Sequence, residues 1–204
     1  MPIARPIDLD TTRLRTEVQD IYGRVAAEPA SDFHFHRGPL YAAERLSYDP
    51  AELAELPAAV TASFAGVGNP HLVQPIADGS TVLDVGCGAG TDLLLAARRA
   101  GPTGRAIGVD MTEAMRARAR EGAIAAGLTN VTVHDGDATA LPVGDGSIDV
   151  VISNGVINLV PDKMRALAEL YRVVRPGGRL QIADIALGVA LSEEARQDID
   201  LWTG

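Results

Sequence analysis

The residues of this chain best suited to chemistry lie in one stretch, Thr81-Val82-Leu83-Asp84-Val85-Gly86-Cys87-Gly88-Ala89-Gly90-Thr91-Asp92. An apolar, β-branched run ends in an acid, and glycines then alternate with small residues before an alanine-rich helix. Glycine has no Cβ, so a strand entering a helix through such a turn lets backbone come close to a ligand. About 20 residues beyond Gly90 a second apolar run, Ala106-Ile107-Gly108-Val109, ends in Asp110. Nucleotide-binding α/β units place a carboxylate on ribose hydroxyls at that spacing. The turn reads G-x-G-x-G, not the dinucleotide G-x-G-x-x-G, and Asp84 lies just before its first glycine. A carboxylate there repels a pyrophosphate and suits a cationic amino-acid group. The chemistry expected is binding of a nucleoside that carries a positive charge; the bland alternative is a plain strand-to-helix turn.

Elements to position these residues follow from periodicity. From Ser80 onward apolar runs alternate with helical patterns, the rhythm of a parallel sheet. Strands are expected near 81–85, 105–109, 131–134, 148–153 and 179–185. Helices are expected near 90–101, 112–126 and 161–174, with another starting near Ser192. Upstream, residues 9–27 read as an amphipathic helix on Leu14, Val18, Ile21 and Val25. Residues 28–50 are loop-rich, and Pro50 to Ala65 reads as helical. About 18 residues follow the fifth strand, and with Ile199 and Trp202 on one face they read as a helix, leaving no room for a further hairpin. The expected sheet is therefore parallel and five-stranded.

Composition narrows the partners. The 204 residues are 47% hydrophobic, enough for a real core, and the net charge is −9. Such a balance argues against a nucleic-acid substrate, which needs a basic face. No run approaches the roughly 18 apolar residues of a membrane span, and the first residues lack the apolar core of a signal peptide. A single cysteine permits no intrachain disulfide. A cytoplasmic location is expected.

The later strand ends carry the nucleoside case further. The third ends in Asp135-Gly136-Asp137-Ala138, and a carboxylate there can accept from an exocyclic amine such as that of adenine. The fourth, Ile148-Asp149-Val150-Val151-Ile152-Ser153-Asn154, is preceded by Leu141-Pro142, and Arg175-Pro176-Gly177-Gly178 feeds the fifth. Together with the glycine turn and Asp110, these segments resemble class I S-adenosylmethionine (SAM)-dependent methyltransferases. A longer run, Ile152-Ser153-Asn154-Gly155-Val156-Ile157-Asn158-Leu159-Val160-Pro161-Asp162-Lys163, is similar to the segment S-N-C-V-I-N-L-x-P-D-K of arsenite methyltransferases. Tyr22-Gly23, Gly108-Val109-Asp110-Met111-Thr112 and the stretch from Leu191-Ser192-Glu193-Glu194 to Trp202 match as well.

The resemblance implies a Rossmann-like, SAM-binding methyltransferase core over 80–204, with a parallel sheet in the order 3-2-1-4-5 truncated before its sixth and seventh strands, lacking its C-terminal part, and with 1–79 as a helical and loop extension covering the cofactor. The fifth strand of that sheet would lie at an open edge where a second copy of the chain can pair, a homo-oligomer. It implies that Asp84, Gly86, Cys87, Gly88 and Gly90 meet the methionine end, with Asn154 beside it. Asp110 would hold the ribose hydroxyls, Met111 the adenine face, and Asp137 with Ala138 the adenine edge, while Tyr22 helps cover the cofactor. Asp137 also reads as a turn acid, and Asn158 either lines the acceptor pocket or caps the next turn. The acceptor would be a small molecule.

The departures concern that acceptor. Trivalent arsenic is soft and held by thiolates, yet Gly155 stands where the family has a cysteine. In Phe64-Ala65-Gly66-Val67-Gly68, Val67 stands at another such position, and Cys87 reads as a packing residue of the turn. One thiol cannot build a multi-thiolate site, so methylation of arsenite is not expected. Phe33-His34-Phe35-His36-Arg37 alternates, so His34 and His36 share a face, either beside an acceptor or at the surface with the aromatics packed inward. No cluster completes a metal-ligand set; His71 and His134 are isolated, and Arg116, Arg118 and Arg120 read as the solvated side of a helix. Two other classes stay open, a nicotinamide-dependent oxidoreductase on the same sheet and a SAM-binding protein without transferase activity.

Overall fold

The computed structural model describes residues 10–186 and Gly188; the helix expected from Ser192 lies outside them. Strands β1 (Thr81–Val85), β2 (Arg105–Asp110), β3 (Val131–Asp135), β4 (Ile148–Asn154) and β5 (Val174–Ala183) form one five-stranded sheet in the order β3-β2-β1-β4-β5. All neighbours run parallel. Parallel strands need crossovers, and here they are α5 (Thr91–Ala100), α6 (Glu113–Ala125) and α7 (Lys163–Val173).

The strand sequences sort these helices to opposite faces. Val82, Val150 and Ile152 pack with Ala96 and Ala100 of α5, while Cys87 and Ala106 pack with Leu93, Ala97 and Ala119 of α5 and α6. Leu83, Val85, Ile107, Val109 and Val151 point the other way, onto Ala166, Leu170 and Val173 of α7. Ile148 shares that second face although it lies two residues from Val150, because the register shifts between them where β4 meets β5. β1 is followed by a crossover on one face and β4 by one on the other. The crevice at the carboxyl ends of β1 and β4 is therefore the topological switch point, where open α/β sheets bind ligands.

The fifth strand starts earlier than expected. Val174 pairs with Ile148, the chain bulges through Arg175-Pro176-Gly177-Gly178, and pairing resumes at Val150↔Arg179. It also ends earlier, at Ala183, because the Asp184 carboxylate turns aside to accept from the backbone N–H groups of Ile157 (2.7 Å) and Asn158 (3.2 Å).

Ahead of the sheet, α1 (Thr11–Ala27) begins where the Asp10 carboxylate accepts from Thr12 N and Arg13 N. It buries Leu14, Val18, Val25 and Ala26. The region read as loop-rich contains a helix, α2 (Gly38–Leu46), started by Pro39 and stopped at left-handed Ser47. The helical reading of Pro50 to Ala65 resolves into α3 (Pro50–Ala54) and α4 (Ala58–Ala62), since Pro57 cannot continue a helix begun at Pro50. Tyr48, Leu53, Leu56, Val60 and Phe64 pack on Leu94 and Leu95 of α5 and Ala123 of α6. The N-terminal segment is thus bound to the helical face of the sheet through a shared core.

Candidate active site

A cavity of about 470 Å³ opens at the switch point, within the size range of small-molecule sites. Its floor is the β1 end with the glycine turn, Asp84 to Asp92; its flanks are Val109 to Thr112 after β2 and Gly136 to Thr139 after β3. The segment Asn154–Val156 after β4 closes one side, and Leu14, Arg15, Val18 and Tyr22 of α1 lie across the top. Ser63 to Gly66 form another wall, and Leu159 to Asp162 line the cavity as well.

The turn approaches the cavity as its glycines require. Gly88 has φ +51, a conformation that favours glycine, and a Cβ there would meet nothing within 4 Å, so the open space beside its backbone belongs to the cavity. Its N–H donates to Asp110 Oδ2 at 2.9 Å, and Thr112 N donates to Oδ1 at 2.8 Å. Those bonds fix the Asp110 carboxylate at the rim with lone pairs still open. Burial outweighs them and raises its pKa above the ordinary value. The same carboxylate, after burial itself, helps push the Tyr22 phenol up to about 12, which keeps that hydroxyl protonated.

Asp84 is the most unusual group. It is 2% exposed, and its Oδ2 has no hydrogen-bond partner among the described residues. Burial, then the neighbouring charges of Asp92 and Asp110, drive its pKa well above the ordinary 3.8. Among the described residues the backbone N–H of Leu93 is the one donor that favours its charged form, and a buried carboxylate with an oxygen left open is costly unless something cationic meets it. The residues therefore fit a nucleoside with a positively charged tail, the amino-acid end of SAM.

Cys87 is buried and its thiol is pushed up by that burial and by Asp110, so it packs against Leu93 rather than reacting. Met111, Ala138 and Gly155 line the cavity as expected. Asp137 lines it too but also has the bland role: its Oδ1 accepts from Thr139 N (2.8 Å) and Thr139 Oγ1 (2.7 Å), and its Oδ2 accepts from Arg15 Nη1 of α1 at 2.8 Å.

The acceptor-side placement of His34, His36 and Asn158 is not what the structure shows, the alternative given for each being the one observed, and the solvated reading of Arg116 is corrected. His34 and His36 are exposed and do not line the cavity; Phe33 and Phe35 pack on Tyr22 and the core while His36 stacks on Tyr41. Asn158 lies outside the cavity lining as well: its backbone N–H reaches Asp184, and its amide, turned so that nitrogen faces acceptors, donates to Asp184 Oδ1 (2.8 Å) and Gly155 O (3.0 Å). It ties the turn after β4 to the end of β5. Arg116 is buried, not solvated, because its guanidinium donates to Asp110 O at 2.8 Å and pairs with Asp135 at 2.7 Å and with Glu113.

Asn154 does more than end a strand. Its Oδ1 accepts from Val67 N (2.8 Å) and Gly68 N (3.2 Å), and its Nδ2 lies within reach of Gly68 O (2.8 Å), Asp92 Oδ2 (3.0 Å) and Tyr48 Oη (3.1 Å). A Cβ on Gly66 would fall 2.3 Å from that Nδ2, so only glycine lets the wall lie flat on Asn154. The clamp brings Val67 against Gly155: a Cβ built on Gly155 stands 3.3 Å from Val67 Cγ1. The two positions named for missing thiols are neighbours across 88 residues of sequence gap, from 67 to 155. Asp92, Tyr48 and His71 joined no expected site; their partners lie too far away in sequence for any spacing rule. Among the described residues no group of three or more His, Cys, Asp or Glu is arranged to hold a metal ion, and no helix is long and apolar enough to cross a membrane.

Comparison with known proteins bears on this geometry. Residues 76–203 match a family described as a methyltransferase domain. The chain is 44% identical over 161 residues to an arsenite methyltransferase of Halobacterium salinarum, covering 79% of this chain and 41% of that protein. It is 40% identical over 158 residues to an arsenite methyltransferase of Aquipseudomonas alcaligenes, covering 74% of this chain and 45% of that one. Among solved structures, an arsenic (III) S-adenosylmethionine methyltransferase from Chlamydomonas reinhardtii superposes with TM-score 0.66 at 39% identity, over 71% of this chain and 51% of that one. The chain spans less than half the length of these two curated relatives.

Proposed function

We propose that this chain, which belongs to the methyltransferase-domain family, transfers a methyl group from SAM to a small-molecule acceptor. Its sheet order and its structural relatives are those of the Rossmann-like methyltransferase fold. The observation that carries the proposal is the buried Asp84 carboxylate, with one oxygen unpartnered, at a cavity shared with Asp110 and the glycine turn. SAM brings an ammonium group suited to that acid and a methyl group already activated on a sulfonium. In this reading Asp84 and the Gly86–Gly90 turn hold the methionine end, Asp110 the ribose, Met111 and Ala138 the adenine, and Asp137 its amine, with Arg15 and Tyr22 covering the site. The work left to the chain is to align an acceptor and exclude water, and good alignment alone supplies about 7–11 kcal/mol of a barrier. A general base is required only for an acceptor that is protonated at working pH; Tyr22, held protonated, is not one.

The acceptor wall supports a substrate other than arsenite. Val67 and Gly155 meet where two thiolates would have to converge, and Cys87, in the cavity floor, is buried with its thiol held protonated. Residues 10–79 act in this proposal as a cofactor-covering extension of the core that follows, in the reducing cytoplasm where a buried free thiol is stable. The test is calorimetry with SAM and NADH side by side, followed by turnover to S-adenosylhomocysteine over a panel of small acceptors that includes arsenite with glutathione. SAM binding without NADH binding, and methyl transfer to an acceptor other than arsenite, are expected. NADH binding in place of SAM overturns the donor assignment, absence of turnover with every acceptor overturns the transferase assignment, and methylated arsenic overturns the acceptor assignment.

A further inference from the structure

Beside Asp84, whose Oδ2 has no partner among the described residues, stands a second buried acid that the fold goes to some length to hold. Asp92, in the first turn of α5, is 6% exposed and lines the same cavity. Its Oδ1 accepts from Tyr48 Oη at 2.6 Å, and its Oδ2 from Asn154 Nδ2 at 3.0 Å. His71 Nε2 lies 3.2 Å from Oδ1 without hydrogen-bond alignment, and neither ring nitrogen of His71 has a hydrogen-bond partner. A carboxylate offers about four lone-pair positions, so this frame fixes Asp92 from behind and leaves acceptor capacity toward the cavity.

The hydrogen count shows which way the frame works. Tyr48 has one proton to give, and Asp92 at 2.6 Å is nearer than Gly68 O at 3.2 Å, so the phenol donates to Asp92. Asn154 has two amide hydrogens and three acceptors within reach, Gly68 O, Asp92 Oδ2 and Tyr48 Oη, so it ties the acceptor wall and the acid together. Burial first, then the Asp92 carboxylate, pushes the Tyr48 phenol far above its ordinary value, so it remains a donor. Among the described residues no Lys or Arg pairs with Asp84 or Asp92, although both are buried and near enough for Asp92 to be the first charge acting on Asp84. Two adjacent buried acids of which one keeps an unpartnered oxygen repel each other when ionised, and a cation in the cavity relieves that repulsion.

We propose that Asp92 is the second carboxylate that recognises the α-ammonium of the methyl donor, paired with Asp84, and that Tyr48 is the positioning residue that aims it. The proposal rests on the donor reading above and extends the donor site to a residue of the N-terminal segment. The acid pair reads only the amino-acid tail, whereas Asp110 and Asp137 read the nucleoside. The two ends are separable with ligands: SAM carries the tail, and 5′-methylthioadenosine has base, ribose and sulfur without it.

The test is calorimetry of both ligands with the wild-type chain, Asp92→Asn and Tyr48→Phe, each checked for folding by thermal melt. Asp92→Asn retains the size and one oxygen to accept from Tyr48, so its loss is mainly of charge. A charge-assisted hydrogen bond is worth about 1.5–3 kcal/mol, so SAM should bind about tenfold or more weakly to Asp92→Asn. Tyr48→Phe should weaken SAM by a smaller factor, about three- to tenfold, one neutral bond's worth. In both variants 5′-methylthioadenosine should bind within about twofold of wild type, because the nucleoside contacts lie elsewhere. Equal losses for both ligands assign Asp92 and Tyr48 to scaffolding and overturn the proposal, as does unchanged SAM affinity in Asp92→Asn. If the wild-type chain binds neither ligand, the donor reading itself falls and this inference falls with it. If it binds both with equal affinity, the donor reading stands and only the tail-reading acid pair is overturned.

Discussion

Replacing Asp110 tests the ribose assignment, and the structure dictates which replacement to use. Alanine removes the acceptor for Gly88 N and for Thr112 N, whose bonds to the carboxylate are 2.9 and 2.8 Å. A buried donor left without a partner costs about 1–3 kcal/mol. Asp110→Ala is thus expected to lose about 2–6 kcal/mol of a total stability of about 5–15 kcal/mol, and weaker binding in that variant would be ambiguous. Asp110→Asn keeps the volume and one oxygen, so the turn loses at most one of the two bonds, while the charge that strengthens bonds to the ribose hydroxyls is gone. Two such bonds at about 1.5–3 kcal/mol each fall toward neutral strength, about 0.5–1.5 kcal/mol each. The net loss is about 2–3 kcal/mol, or thirty- to hundredfold in the dissociation constant for SAM at about 1.4 kcal/mol per decade. Calorimetry on folded Asp110→Asn, with the melt recorded in parallel, is the assay. Because burial raises the Asp110 pKa, wild-type affinity should also weaken as pH falls through that raised value, and the variant should not share that dependence. A folded variant with wild-type SAM affinity would falsify the ribose role.

Other outcomes follow from the same contacts. Asp84 has a folded pKa above its unfolded value, so it destabilises the ligand-free fold once pH exceeds about 3.8, and Asp84→Asn should melt higher than wild type at pH 7 while losing SAM; the gap in melting temperature should vanish near that lower pH, and a lower melting temperature at pH 7 refutes the reading. Glu169 shows the opposite sign: Arg172 donates to it twice (2.8 and 2.7 Å), Leu141 N once (2.8 Å), and its pKa is held down to about 2. Its contribution is complete above the ordinary 4.5 and is lost as pH falls through about 2, so Glu169→Gln should cost about 1–3 kcal/mol at pH 7 and only a small fraction of that at pH 2, as read by denaturant titration at each pH. Finally, Val67→Cys with Gly155→Cys should bind arsenite one-to-one by mass spectrometry under reducing conditions where wild type does not, with a stability loss of about 1–2 kcal/mol because residue 155 sits at φ +71. No arsenite bound to the folded double variant means that side chains at the two positions do not converge.

The donor side of the cavity was legible because its signals are local. The glycine turn, Asp84, Asp110 and the G-D-A after β3 each sit at a strand end, and a parallel sheet sends successive strand ends to one edge. The strands were legible because each run announces itself by length and β-branching, whereas their order came with the resemblance to methyltransferases. Helix α2 was missed because its start, Gly38-Pro39, reads as a turn when the helix behind it is only nine residues long. His34 and His36 show the limit of alternation: it placed them on one face but not which face looks inward, and the apolar rings decided that. The frame of Tyr48, Asp92 and Asn154 was invisible because its members are brought together from three different elements, and a carboxylate at the start of a helix reads first as one that favours the helix dipole. Arg116 deceived for a related reason: one member of an apparently solvated run turns inward when a carbonyl at a neighbouring strand end, that of Asp110, needs a donor.

The two halves of the cavity are built under different constraints, and that bears on how the acceptor side can change. The donor half is strand ends and backbone, where the Cβ of any residue but glycine at position 86 would stand 2.3 Å from Val156 Cγ2, so substitution there disturbs the turn itself. The acceptor wall is held differently. Asn154 grips Val67 and Gly68 by their backbone N–H groups and the Gly68 carbonyl, and none of these bonds depends on the side chain at 67. Asn158 likewise holds Gly155 by its carbonyl. The side chain at 67 can therefore be exchanged, thiol for valine, and one at 155 adds only the strain of φ +71, while the frame that faces the two positions toward each other stays in place. In the proposed reading, a wall secured through main-chain bonds lets the chemistry of the acceptor shift without moving Asp92, to which the same Asn154 amide donates.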